Sequence, residues 1–164
     1  MTAPECEIRH AIEADLPDIL SMIRGLAEYE KAAPGAVTVT EAQLRESLFG
    51  PHPGAEVLIA SSGGEAAGFA VFFHNFSTWH GRRGIYLEDL FVWPEMRGRG
   101  IGKALLREVS RIAVERGCPR VEWLVIDWNQ PAIDFYKSLG AVTLEEWTTF
   151  RLGEAALRAL AGSN

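Results

Sequence analysis

Leu90-Phe91-Val92-Trp93-Pro94-Glu95-Met96-Arg97-Gly98-Arg99-Gly100-Ile101-Gly102 is the stretch on which the reading of this chain turns. The apolar run Ile85 to Val92 has strand character, and Pro94, which has no amide N–H to donate, ends its pairing. A helix is predicted from about Gly100 to Arg116, stopped by Gly117. Between strand and helix, Gly98, Gly100 and Gly102 stand at alternate positions. Free of Cβ atoms, the backbone there can turn its N–H groups toward one point. The helix start behind them adds unbonded amides and the positive end of a dipole. Together they form a cradle for a pyrophosphate, with Arg97 and Arg99 supplying charge. A flexible strand-to-helix turn without a ligand is the plainer reading of the same residues. The pattern is not a P-loop, because Ala104 stands where Ser or Thr is required. It is not the dinucleotide fingerprint either, because Leu105 follows where a third glycine belongs.

Upstream, Glu7 to His10 reads as a first strand. Asp15 is expected to cap a helix whose apolar positions Leu16, Ile19, Leu20, Ile23, Leu26 and Ala27 keep helical spacing. Pro34 and Gly35 break that pattern, and Thr40-Glu41-Ala42-Gln43 opens a second helix toward Phe49 with a capping box. Strands follow at Val57–Ala60, Ala67–Phe76 and Ile85–Val92, divided by turns at Ser61–Gly64 and Gly81–Gly84. Beyond the glycine-rich helix, Val121–Ile126 is expected as a buried strand and Pro131–Leu139 as a helix closed by Gly140. Ala141 to Leu152 is expected to supply one or two last strands. The order βααβββαβαβ(β) predicts an α/β (α+β) fold: a central mixed, mostly antiparallel sheet flanked by helices. Fold order alone names no function.

The 164 residues suffice for one domain, read as spanning 1–164, with a core that needs no staples. Cys6 and Cys118 lie far apart without Cys or His companions, so neither a disulfide framework nor a metal site is indicated. The first ten residues lack the apolar segment of a secretory signal, and no apolar run reaches membrane-spanning length. A soluble protein of the cytoplasm is expected. The net charge of −6 disfavours nucleic acid and mildly favours cationic partners.

The Arg97-Gly98-Arg99-Gly100-Ile101-Gly102 core, preceded by Leu90-Phe91-Val92, resembles the acetyl-CoA signature of the GNAT N-acetyltransferases. That resemblance implies that backbone amides at Leu90, Phe91 and Val92, beside a strand bulge, hold the pantetheine arm. Residues Arg97 to Gly102 would then hold the pyrophosphate. A second segment agrees: Asn129-Gln130-Pro131-Ala132-Ile133-Asp134-Phe135-Tyr136 is similar to the family's other cofactor-side motif. Read without the family, Asn129 is a helix cap and Tyr136 a ring packed on Phe135.

Glu28-Tyr29-Glu30, Phe49-Gly50, His52-Pro53, Ser77-Thr78-Trp79, Tyr86-Leu87-Glu88-Asp89 and Asp127-Trp128-Asn129 resemble the diamine and thialysine acetyltransferases in particular. The resemblance runs from Ile8 to Trp147. It implies a homodimer that acetylates a small cationic amine. Lys31-Ala32-Ala33-Pro34 departs from the polyamine branch, which tends to be acidic there, and this ranks thialysine and short diamines above spermine.

Such a reaction needs a base, because a lysine-like amine is protonated below pH ~10. Glu88 is the candidate base, and Tyr136 the family-matched acid for the departing thiolate. The acceptor is expected to be held by Glu30, Glu88, Asp89 and Trp147. Glu88 and Asp89 paired with Arg82 or Arg83 is the bland alternative, as is Glu30 on an exposed helix end. Trp79 and Trp128 are expected as core or sheet-face aromatics, and His52, His74 and His80 suggest no metal. The competing functions are a GNAT acting on a protein amine, antibiotic or aryl amine, a non-catalytic acyl-CoA-binding module, and a nucleotide switch.

Overall fold

Alternation builds the sheet. In the computed structural model, which describes residues 6–162, the chain divides into one compact unit ending at Leu124 and another beginning at Val125. In the first unit, β1 (Cys6–His10), β2 (Glu56–Ser62), β3 (Glu65–Ser77) and β4 (Arg82–Val92) form an antiparallel meander. The short strand β5 (Val121–Glu122) then pairs parallel to β4. The fold is mixed α/β, and its sheet is mostly antiparallel, as the sequence predicts.

One face of the sheet presents Ile59, Phe69 and Phe91, which stand opposite one another across β2, β3 and β4. On them packs α1 (Leu16–Tyr29) through Leu16, Ile19, Leu20 and Met22, with Leu44 of α2 (Glu41–Phe49) beside it. The helix α3 (Ile101–Glu115) lies against β3 and β4 and buries Ile101, Leu105, Leu106, Val109, Ile112 and Ala113, a stripe at helical spacing.

Several local expectations hold at the level of single bonds. The amide of Gln43 donates to Thr40 Oγ1 (3.3 Å) and that of Thr40 to Gln43 Oε1 (2.9 Å), which is the capping box. The helix α3 ends with Gly117 at φ 67°, its amide donating to Val114 and that of Cys118 to Ala113. The turn between β2 and β3 is tighter than expected. Ser61 and Ser62 belong to the strand, and Gly63 and Gly64, at φ 63° and 86°, make a two-residue hairpin.

Four expectations are corrected. Asp15 does not cap α1. Its carboxylate takes two hydrogen bonds from Arg9 (2.7 and 2.8 Å) and one from the Ile12 amide (2.8 Å), and the charged fork outcompetes a single cap bond. The strand expected at Val121–Ile126 pairs only at Val121 and Glu122, opposite Ile85 and Tyr86. Pairing stops two residues short of Glu88, where a bulge bends β4 away. Trp79 is 85% exposed at the β3–β4 hairpin tip and Trp128 is 46% exposed, so neither is a core aromatic.

The fourth correction lies in the second unit. Residues 141–152 form no strand among the described residues, and Val142, Leu144, Trp147, Phe150 and Leu152 stay exposed. An extended segment becomes a strand only through a partner's hydrogen bonds, and none meets it there. The unit holds α4 (Gln130–Ser138), closed by Gly140 at φ 89°, and α5 (Glu154–Leu160), which sequence patterning did not anticipate.

Candidate active site

The site begins at the bulge. Val71 stands opposite Asp89 and Phe72 opposite Leu87, so Glu88 is the extra residue on β4. The sequence reading set the bulge beside Leu90 to Val92; it lies just upstream of them. A bulge breaks the ladder locally and re-aims side chains. Beyond it, Leu90, Phe91 and Val92 still pair with Ala70, Phe69 and Gly68. Their other edge has no strand partner among the described residues, because β5 reaches only to Tyr86. Alternate amides of a strand point to opposite edges. The open edge of β4 therefore presents free main-chain donors next to two carboxylates.

Those carboxylates differ. Glu88 is exposed, whereas Asp89 is half-buried, and its carboxyl is pushed up to about 6. Desolvation is the main cause, and the negative charges of Glu88 and Glu30 add to it. Glu30, at the end of α1, is also shifted upward by the burial it has. Glu30, Glu88 and Asp89, the acceptor residues expected from sequence, thus stand close enough for the first two to act on the third by charge. Neither Glu88 nor Asp89 is paired with Arg82 or Arg83 among the described residues; Arg82 reaches the Gly117 carbonyl instead (3.4 Å).

Past Val92 the chain makes one short 3-10 turn, Pro94–Met96, and enters the glycine loop. Gly98 and Gly100 take φ 75° and 80°, the left-handed region that side chains with Cβ avoid. No protein atom lies within 4 Å of where a Cβ would stand on either, so backbone conformation, and not packing, requires the glycines. Gly100 is the N-cap of α3, and no side chain caps the helix. The first amide to close an intrahelical bond is that of Ala104, to the Gly100 carbonyl (2.9 Å). Residues Ile101, Gly102 and Lys103 therefore offer amides at the positive end of a 15-residue helix. That is an anion cradle.

Arg97 does not simply point outward from this loop. Its Nε donates to the Val92 carbonyl (2.9 Å), and its guanidinium lies 4.4 Å over the Tyr29 ring. Sequence spacing did not disclose this contact between α1 and the loop. Four residues earlier on each segment the same two elements meet again. A Cβ on Gly25 would stand 2.6 Å from the Trp93 ring. Glycine inside a helical pattern was the available signal.

In the second unit, the Asn129 side chain accepts from the Ala132 amide (3.4 Å) and caps α4. Tyr136 is half-buried on α4, its ring 5.3 Å from Phe135. Trp147 is 70% exposed. Among the described residues no cluster of His, Cys, Asp or Glu has the arrangement of a metal site.

An uncapped helix start behind left-handed glycines thus follows directly on a bulged strand. The chain belongs to the GNAT acetyltransferase family, whose profile matches residues 22–141. It is 42% identical to the thialysine N-epsilon-acetyltransferase of Sus scrofa, over 94% of this chain and 96% of that protein. The Bos taurus protein of the same name is 43% identical over the same shares. A Homo sapiens spermidine/spermine N(1)-acetyltransferase-like protein is 37% identical over 92% of this chain, though only 23% of its own length. Among solved structures, an integron cassette protein from V. cholerae superposes with a TM-score of 0.81 at 29% identity, covering 96% of this chain and 98% of its own. An aminoglycoside acetyltransferase from a soil metagenomic sample shares the fold (TM-score 0.75, 22% identity, covering 90% and 95%).

Proposed function

We propose that this acetyltransferase moves the acetyl group of acetyl-CoA to the primary amine of a small cationic acceptor, with thialysine or a short diamine ahead of spermine. The carrying observation is the acidic group Glu30, Glu88 and Asp89 at the bulge of β4, on the strand that leads into an uncapped helix start. The likeness to thialysine acetyltransferases over nearly the whole chain supports the acceptor class. In this reading Arg97 to Gly102 hold the pyrophosphate and the Leu90–Val92 edge holds the pantetheine arm. An amide of that edge also receives the oxyanion that forms when the amine attacks the thioester carbonyl. The family likeness assigns Asn129 and Tyr136 to the cofactor as well, Tyr136 as the acid that protonates the thiolate as the C–S bond breaks.

The base is a carboxylate of the bulge, acting directly or through water. Glu88 stands nearest solvent, on the bulge itself. Asp89, its carboxyl pushed up to about 6, is suited to take up a proton near neutral pH. A second charge on the acceptor is met by Glu30. A charge-assisted hydrogen bond of about 1.5–3 kcal/mol selects a substrate by roughly ten- to a hundredfold. A thioether sulfur near the amine also lowers its pKa and raises the neutral fraction, which favours thialysine.

The exposed Val142, Leu144, Trp147, Phe150 and Leu152 support a homodimer as the working form. No helix among the described residues is long and apolar enough to cross a membrane, and a cytoplasmic location is part of the same proposal. Thiol release measured across thialysine, putrescine, spermidine, a peptide with a free N-terminus and a neutral aryl amine tests the reading. Thialysine or putrescine should give the highest kcat/KM, and Glu30→Gln should raise KM alone. A peptide N-terminus or aryl amine as best substrate would sink it.

A further inference from the structure

The contact between Arg97 and Tyr29 joins two halves of the proposed site that sequence motifs treat separately. Tyr29 is the last residue of α1, and Glu30, one of the proposed acceptor carboxylates, follows directly. Arg97 opens the glycine loop. Its guanidinium lies 4.4 Å over the Tyr29 ring and 5.8 Å from that of Phe91, while Nε holds the Val92 carbonyl. A planar guanidinium has five N–H donors, so one bond and one ring face leave others to meet an anion in the adjoining cradle. Phosphate and aromatic ring therefore engage different parts of one group.

The end of α1 is otherwise held in a demanding conformation. The Lys31 amide donates to Glu28 and that of Ala32 to Ala27, the bonding of a helix stop normally closed by glycine. Lys31 supplies the left-handed turn at φ 58°, a conformation costly for a residue with a Cβ. Gly25 against Trp93, one helical turn earlier, seats the same helix on the end of β4. Glu30 is thus placed by a strained stop on one side and by the Tyr29–Arg97 stack on the other.

We propose that Tyr29 and Arg97 are positioning residues that link occupancy of the glycine loop to the binding of the acceptor amine. An anion in the loop restrains Arg97, the restrained guanidinium holds the Tyr29 ring, and the ring fixes the backbone that carries Glu30. By linkage, the effect is reciprocal: the amine must tighten CoA binding by the same factor that CoA tightens amine binding. This inference rests on the acceptor reading of Glu30 given above.

The test uses the full chain with free CoA, which carries no acetyl group, so that CoA and thialysine bind together without reacting. Isothermal titration gives the thialysine Kd with and without saturating CoA, and the ratio is the linkage factor. In the parent the factor should exceed one. A cation–π contact of this exposure corresponds to about two- to fivefold in an equilibrium constant, so Tyr29→Leu should reduce the factor by that much. Tyr29→Phe keeps the ring and should retain most of it. The CoA Kd measured alone should move less than twofold in either variant, which a general loosening of the fold would not allow. A parent factor of one, an undiminished factor in Tyr29→Leu, or an equal loss in Tyr29→Phe overturns the proposal. Acetyl transfer to thialysine by the parent, assayed separately, would still stand in each of those cases. If the parent neither binds CoA nor acetylates an amine, the functional reading fails first and this inference falls with it.

Discussion

Asp89 should make the protein less stable at the pH where it works. Its carboxyl is pushed from an ordinary 3.8 up to about 6, first by desolvation and then by Glu88 and Glu30. The folded state therefore keeps a proton that the unfolded chain releases between those two values, and stability falls as pH rises through that window. Above pH 6 the ionised group carries the full penalty. Moving from 3.8 to about 6 corresponds to about 3 kcal/mol, and the water contact that Asp89 keeps reduces the expected effect to about 1–3 kcal/mol. Asp89→Asn removes the charge at nearly constant shape. Urea denaturation of parent and variant at pH 4 and pH 8 measures the difference. The variant should gain about 1–3 kcal/mol on the parent between the two pH values. The same substitution should reduce kcat/KM at pH 8, and the parent's rate should decline below pH ~6 as the carboxylate takes up a proton. A stability difference that is flat from pH 4 to pH 8 would refute the burial argument.

Three further outcomes are expected. Gly100→Val places a β-branched residue at φ 80°, so acetyl-CoA affinity should fall more than about tenfold while circular dichroism reports an intact fold; unchanged affinity removes the loop from the cofactor site. Gly25→Ala gains about 1 kcal/mol of helix propensity but drives a Cβ to 2.6 Å from the Trp93 ring and 3.0 Å from that of Phe91, so the net change in a urea titration should be a loss of about 1–2 kcal/mol. A gain would mean that Trp93 moves aside freely. Tyr136→Phe should lower kcat by about 10²–10⁴-fold with little change in acetyl-CoA affinity, and a full-speed variant under rate-limiting chemistry would make Tyr136 a packing residue.

The sheet and its three main helices were legible because each has its own period and punctuation. Thr40 and Gln43 announce α2, the glycine pair at 63 and 64 sets the hairpin register, and Gly117 ends α3. Residues 141–152 were misread for a physical reason: alternating apolar residues signal a strand's face, but only a partner edge makes the strand. The helix α5 was missed although Glu154-Ala-Ala-Leu-Arg-Ala-Leu160 is rich in helix formers, because it is short and exposed. Within the site, the glycine loop was readable from composition. The difference between Glu88 and Asp89 was not, since adjacent carboxylates look alike until burial separates them. The Arg97–Tyr29 stack is a contact across 68 positions, which no local pattern encodes.

Because the proposed pyrophosphate cradle and the open strand edge are made of main-chain amides, most substitutions around them leave the donors in place. Only glycine at the two left-handed positions is irreplaceable there. The carboxylates proposed to choose the acceptor sit instead on side chains of β4 and the end of α1, where one base change alters charge outright. Cofactor use and acceptor choice therefore drift at different rates. A lineage carrying this scaffold can exchange one amine for another through a few surface replacements, while its dependence on the acyl donor stays fixed by geometry that mutation seldom reaches.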